Sequence, residues 1–247
     1  MDSMAQGNPL IGSSKETVSK NNVLFRNGGP LPESIWILGA GQFGRIAAER
    51  LHQRYPRTDL VVVDQRPQRL TEIHETLRIP VHRKDAIGFL QQRPLPEDQW
   101  IVPAVPIHVA WLWVMQVLEG DGVVQPLSVP TAVDEQVPNP HRAETGTLYA
   151  SFATFRCPDA CNEPEELCTH TGQPRIGNLF ERLALIQVPE FHVEVIRSWQ
   201  LAPGVGGYRG KQLLAAAARI QAYPGHWIVA TSCRCHGVID ALAFQRI

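Results

Sequence analysis

Two periods run through the apolar positions of the chain. Ile35 to Leu38 form an unbroken apolar run, and after a glycine-rich turn Phe43, Ile46, Ala47 and Leu51 recur at helical spacing. The pattern predicts strand, tight turn and helix. "DLVVVD", ending in Asp64, reads as the next strand, and "IPVHRKD" as a third before a short apolar helix. Residues 100 to 118 contain nineteen positions without Asp, Glu, Lys or Arg, a length that invites a membrane-span reading. Pro103 and Pro106 divide it instead into a buried strand from Trp100 to Val105 and a helix from about His108.

From residue 119 the pattern dissolves into a Pro- and Gly-rich connection and returns with Ile176, Leu179, Leu183 and Ile186 at helical spacing. "FHVEVIRSW" alternates like a strand, "QLAPGVGGYRG" reads as a flexible loop, "KQLLAAAARIQAY" as a helix and "HWIVATS" as an apolar strand. This is a second strand, helix, strand unit. Joined by right-handed crossovers, the two sets predict an α/β protein: one Rossmann-like, doubly wound parallel sheet of about six strands with an inserted cysteine-rich loop. The expected division is a flexible tail at 1–30, a nucleotide-binding half at 31–135, and a cysteine-rich insertion with a second half at 136–247 on the same sheet. A small separate domain after residue 136 is the alternative.

With 247 residues, 44% of them hydrophobic, the chain can bury a large core. Its formal charge of −1 lacks the basic excess of a nucleic-acid binder. Residues 1 to 30 contain no apolar segment of the signal-peptide kind, and the cysteine count of five is odd. Both point to reduced thiols and a cytoplasmic protein without a membrane span.

The first turn reads Gly39-x-Gly41-x-x-Gly44, with Gln42 and Phe43 between the last two glycines. Gly39 allows the turn, Gly41 lets backbone approach a pyrophosphate and Gly44 lets the helix pack closely. Asp64 lies twenty residues after Gly44, where a carboxylate can bind a ribose diol. An acid there favours NAD over NADP, although the nearby Arg66 could take a 2′-phosphate. Residues 35 to 118 resemble the nucleotide-binding TrkA-N, or RCK, domain of potassium channels and transporters. The resemblance implies that Gly39, Gly41, Gln42, Phe43, Gly44, Asp64 and Asp85 hold NAD or another adenine nucleotide, and it suggests a homodimer. Downstream the chain does not resemble that family's ligand-binding domain.

The cysteines fall into two clusters, Cys157-x3-Cys161-x6-Cys168 and Cys233-x-Cys235-His236. Thiolates from separate segments are what a tetrahedral metal site needs, and the polar loop around the first cluster is poor context for core cysteine. Neither spacing is standard for zinc or for a ferredoxin cluster. His170 and His236 are further candidate ligands. Redox or nucleophilic thiols and inert buried cysteines are the competing readings. "APGVGG" could cradle an anion or simply turn the chain.

No zinc-protease, nucleophile-elbow or phosphate-loop motif occurs. The combined expectation is an NAD(H)-binding oxidoreductase-type protein with a cysteine-ligated centre at the nucleotide edge, an iron–sulfur cluster favoured over zinc, and a redox protein partner. The alternative is a non-enzymatic nucleotide sensor with a structural zinc.

Overall fold

The computed structural model describes residues 31–92 and 94–247; the expected tail at 1–30 lies outside the described residues. The first sheet begins with β1 (Ser34–Leu38), α1 (Gln42–Arg54), β2 (Asp59–Asp64), α2 (Pro67–Leu77), β3 (Val81–Arg83), α3 (Ala86–Gln91), β4 (Trp100–Pro103) and α4 (Val109–Leu118). The four strands pair in parallel in the order β3-β2-β1-β4. α1 stops at Tyr55, whose φ of −127° is extended, because Pro56 disfavours helix in the preceding residue.

After β5 (Gly122–Leu127), a 3-10 turn (Thr131–Gln136), β6 (His141–Arg142) and β7 (Leu148–Ser151), the cysteine segment leads to α5 (Leu179–Ala184). Then follow β8 (Phe191–Arg197), β9 (Trp199–Ala202), β10 (Val205–Arg209), α6 (Gly210–Ala222), β11 (Gly225–Ser232) and β12 (His236–Arg246). β10 and β9 complete the first sheet to six strands, both antiparallel to their neighbours. The remaining strands form a second sheet in the order β6-β7-β12-β11-β8, with β5 also on β12.

The α/β class and the six-stranded Rossmann-like sheet are therefore present, but the single all-parallel sheet needs correction. The second strand, helix, strand unit exists: β8 and β11 run parallel with α6 between them, yet they belong to the second sheet. "FHVEVIRSW" breaks at Ser198, where the chain crosses from β8 to β9 and the Ser198 N–H bonds the Ser232 carbonyl at 2.8 Å. Alternation alone cannot register such a crossing. The loop "QLAPGVGGYRG" is a hairpin in which a Cβ on Gly207 would lie 2.7 Å from the Ile101 carbonyl oxygen. That glycine serves a close strand approach rather than an anion cradle.

One apolar core spans the space between the sheets: Trp36, Leu38 and Ile101 from the first, Phe89, Trp113 and Leu213 from α3, α4 and α6, and Trp227 and Phe244 from the second. The far face of the second sheet carries Ile228, Ala230, Ile239 and Ala241 against Leu179 and Leu183 of α5. Two apolar positions expected inside are outside, Phe43 at 63% exposure and Ile176 at 82%. Each precedes the stretch of helix that meets its sheet. No helix among the described residues is long and apolar enough to cross a membrane.

Candidate functional site

The turn from β1 into α1 follows directly from its glycines. Gly39 has φ +112°, and a Cβ there would lie 2.5 Å from the Ala104 carbonyl oxygen, so the loop after β4 presses against it. A Cβ on Gly44 would come within 1.9 Å of the Gly39 carbonyl oxygen, which fixes how closely α1 sits on the sheet. Gly41 is different: its Cβ would meet only the Arg69 Nη1, at 3.3 Å. Its backbone stays open, no side chain caps α1 and no acid stands in its first turn. A 13-residue helix thus offers free N–H groups and its positive end beside open backbone, which suits a phosphate.

Asp64 ends β2 at 7% exposure. Its Oδ2 accepts the Ala40 N–H at 2.7 Å, and its Oδ1 accepts the Arg66 N–H at 2.8 Å and the Arg66 Nε at 3.3 Å. Burial pushes the carboxyl up, but these donors and the Arg66 charge outweigh it and hold it below the usual carboxylate range. Gln42 and Phe43 are exposed on the first turn of α1. Asp85 is spent locally: it caps α3, its Oδ1 accepting the Gly88 N–H at 2.7 Å.

The two cysteine clusters do come together. The segment between β7 and α5 folds over the β11–β12 turn, with the Phe152 N–H on the Cys235 carbonyl and the Leu179 N–H on the Arg234 carbonyl, both at 2.9 Å. Glu163 accepts the Arg234 N–H at 2.6 Å, and the Arg234 guanidinium bonds Asn178 and Glu165. His236 stands between sulfurs, its Nε2 3.6 Å from Cys157 Sγ and its Nδ1 3.9 Å from Cys233 Sγ. The Arg175 Nη1 donates to Cys235 Sγ at 2.5 Å. The Cys161 sulfur accepts the Glu163 N–H, and the Cys233 sulfur accepts the N–H groups of Cys235 and His236, each at 3.4 Å.

Burial, reinforced by the other thiols, pushes Cys157 up; burial also pushes Cys233 and Cys235 up, against the pull of Arg175 on Cys235, and pushes His236 down. Cys168, on a small hairpin closed by the Leu167–Pro174 bridge, goes down because the N–H groups of Thr171 and His170 bond its sulfur. All five thiols are free. His170 stacks on Phe155, with centroids 4.3 Å apart. Among the described residues no three His, Cys, Asp or Glu side chains form a group able to hold a metal ion.

Two features escaped sequence reasoning. Arg50 of α1 donates to the Asp159 carbonyl at 2.6 Å and the Pro203 carbonyl at 2.5 Å, tying the nucleotide helix to the cysteine loop and the β9–β10 hairpin. His108, which heads α4, bonds Asp240 through Nδ1 and Thr231 through Nε2, both at 2.8 Å, while Thr147 donates to the other Asp240 oxygen. A lone arginine or histidine carries no spacing signal: His108 reads from sequence only as a satisfied structural histidine, and the partners of both residues are visible only in the fold.

Residues 35–88, which include the glycine turn, match the TrkA-N domain, a Rossmann-like fold. A protein of Archaeoglobus fulgidus, described as "Uncharacterized protein", is 27% identical over 229 residues, covering 83% of this chain and 97% of that protein. No solved structure matches. Residues 110–245, over half the chain, match the family described as "Uncharacterized protein, C-terminal domain", and the chain belongs to that family.

Proposed function

We propose that the chain is a nicotinamide-dinucleotide-binding protein of the oxidoreductase type, with a thiol-ligated metal centre on the cysteine loop. The observation that carries the first half is the open backbone at Gly41 against the uncapped start of α1, within a TrkA-N match. A diphosphate fits there, because the helix end and the free amides supply the positive potential it needs. What supports the second half is the placing of Cys157 and Cys233 on either side of His236, with the Cys235 sulfur on Arg175 in the same turn and N–H groups on the Cys161 and Cys233 sulfurs. Ligation requires thiolate, so a metal ion would have to displace the protons that burial favours on Cys157, Cys233 and Cys235. No closed ligand set stands among the described residues, and holding an ion would require the cysteine loop to tighten around it. An iron–sulfur cluster would add one-electron capacity beside a hydride carrier; zinc would only hold the loop.

One observation favours a second reading, a nucleotide sensor without chemistry: Arg50 couples the nucleotide helix to the cysteine loop mechanically. Both readings meet one experiment. The full-length chain, purified without oxygen, is analysed for iron, sulfide and zinc and titrated with nicotinamide dinucleotides. Iron and sulfide with visible absorption that bleaches on reduction and disappears in Cys157→Ser are expected. Zinc alone selects the sensor, and a metal-free protein removes the centre. The nucleotide half stands separately: Gly41→Val abolishes dinucleotide binding, and wild-type protein that binds none overturns it.

A further inference from the structure

The nucleotide site holds two arginines that the glycine turn does not require. Arg66 precedes the first turn of α2 and Arg69 lies within it. Arg69 is half-buried, and its Nη1 reaches to 3.3 Å from where a Gly41 Cβ would stand, so its guanidinium lies over the phosphate-binding turn. Among the described residues it has no hydrogen bond or ion pair. A half-buried guanidinium held beside open backbone without a partner anion is a poor arrangement unless an anion joins it. Arg66 is 59% exposed along its side chain, and its only side-chain bond is the 3.3 Å contact to Asp64.

Asp64 points the same way. An acid at the end of this strand normally selects a free 2′-hydroxyl, accepting its proton and repelling a 2′-phosphate. Here its side chain is only 6% exposed, three protein N–H groups occupy it, and Arg66 offsets its charge. The discriminating carboxylate is turned inward and neutralised, while the outward surface beside it is cationic.

We propose that Arg66 and Arg69 form a phosphate-binding pair, and that the site takes the 2′-phosphorylated dinucleotide NADP(H) in preference to NAD(H). The proposal rests on the reading of the glycine turn as a nicotinamide-dinucleotide site. It reverses the preference that an acid at position 64 suggests from sequence, because that preference assumes a carboxylate facing the ribose. Guanidinium and phosphate form parallel charge-assisted hydrogen bonds, so each arginine contributes about tenfold or more in affinity at low salt.

Calorimetric titration of the full-length chain with NAD, NADP, 5′-ADP and 2′,5′-ADP separates the two places a phosphate can bind. The expected result is NADP tighter than NAD, and 2′,5′-ADP tighter than 5′-ADP, by at least about tenfold. Arg66→Ala removes most of that margin, and Arg69→Ala weakens NADP by a larger factor than it weakens NAD. Arg66→Ala alters an exposed side chain and preserves the test if Arg69→Ala folds poorly. Equal affinity for the two dinucleotides overturns the proposal. So does an Arg69→Ala variant that loses both ligands alike with Arg66→Ala unchanged, which would place Arg69 on the diphosphate. Absence of binding by any of the four ligands fails the underlying nucleotide reading as well, a result distinct from these.

Discussion

Gly44 shows how much a single residue settles. With 1.9 Å between its would-be Cβ and the Gly39 carbonyl oxygen, the obstacle is backbone and cannot rotate away. Gly44→Ala must therefore displace α1, costing on the order of 3 kcal/mol and roughly 5–10 °C in thermal midpoint, read by calorimetry. An unchanged midpoint would mean that α1 is not seated as described. The three glycines and Asp64 were legible because the chemistry of the turn dictates their spacing. The direction Asp64 faces was not, since it depends on Ala40 and Arg66 amides whose positions only the folded turn defines. The same holds for the cysteines: two clusters can be counted in the chain, while Arg175 on Cys235 and His236 between sulfurs appear only in three dimensions.

Elements were most legible where pattern and punctuation agreed. β1, α1 and β2 are bracketed by glycine, Pro56 and the acid, and α6 ends at Tyr223 for the same reason as α1, with Pro224 next. β12 went unread because "GVIDALAF" is buried almost throughout and shows no alternation. The β9–β10 hairpin was read as a loop because its glycines suggested flexibility. Gly207 is instead where strands touch, and Gly207→Val should force β10 off β4 against the Ile101 carbonyl. The expected outcome is faster proteolysis within residues 199–209 and a lower urea midpoint; unchanged protease resistance would contradict the close approach.

At the scale of the molecule, a buried polar contact that joins the layers is the His108, Asp240 and Thr231 network. His108 stands at the head of α4, whereas Asp240 and Thr231 belong to the second sheet, and the His108 side chain is 3% exposed. With Nδ1–H donating to one Asp240 oxygen and the Thr147 hydroxyl donating to the other, the carboxyl serves as acceptor for both. Asp240→Ala strands both that N–H and the Thr147 hydroxyl and should destabilise by about 3 kcal/mol, whereas Thr231→Val, which keeps shape, should cost about 1 kcal/mol. Urea unfolding of the two variants measures the difference, and equal losses would deny the network this role.

The hairpin of β9 and β10 also decides what can be inherited as a unit. Sequence likeness marks two modules, one ending at residue 88 and one starting at residue 110, as if they could be exchanged between proteins. The first sheet does not respect that boundary, since two of its six strands come from the second module and shield the edge of β4. The first module transferred alone would carry a bare strand edge, the template on which unrelated chains pair and aggregate. Recombination between these modules is therefore expected to succeed only when the incoming partner brings a strand to that edge.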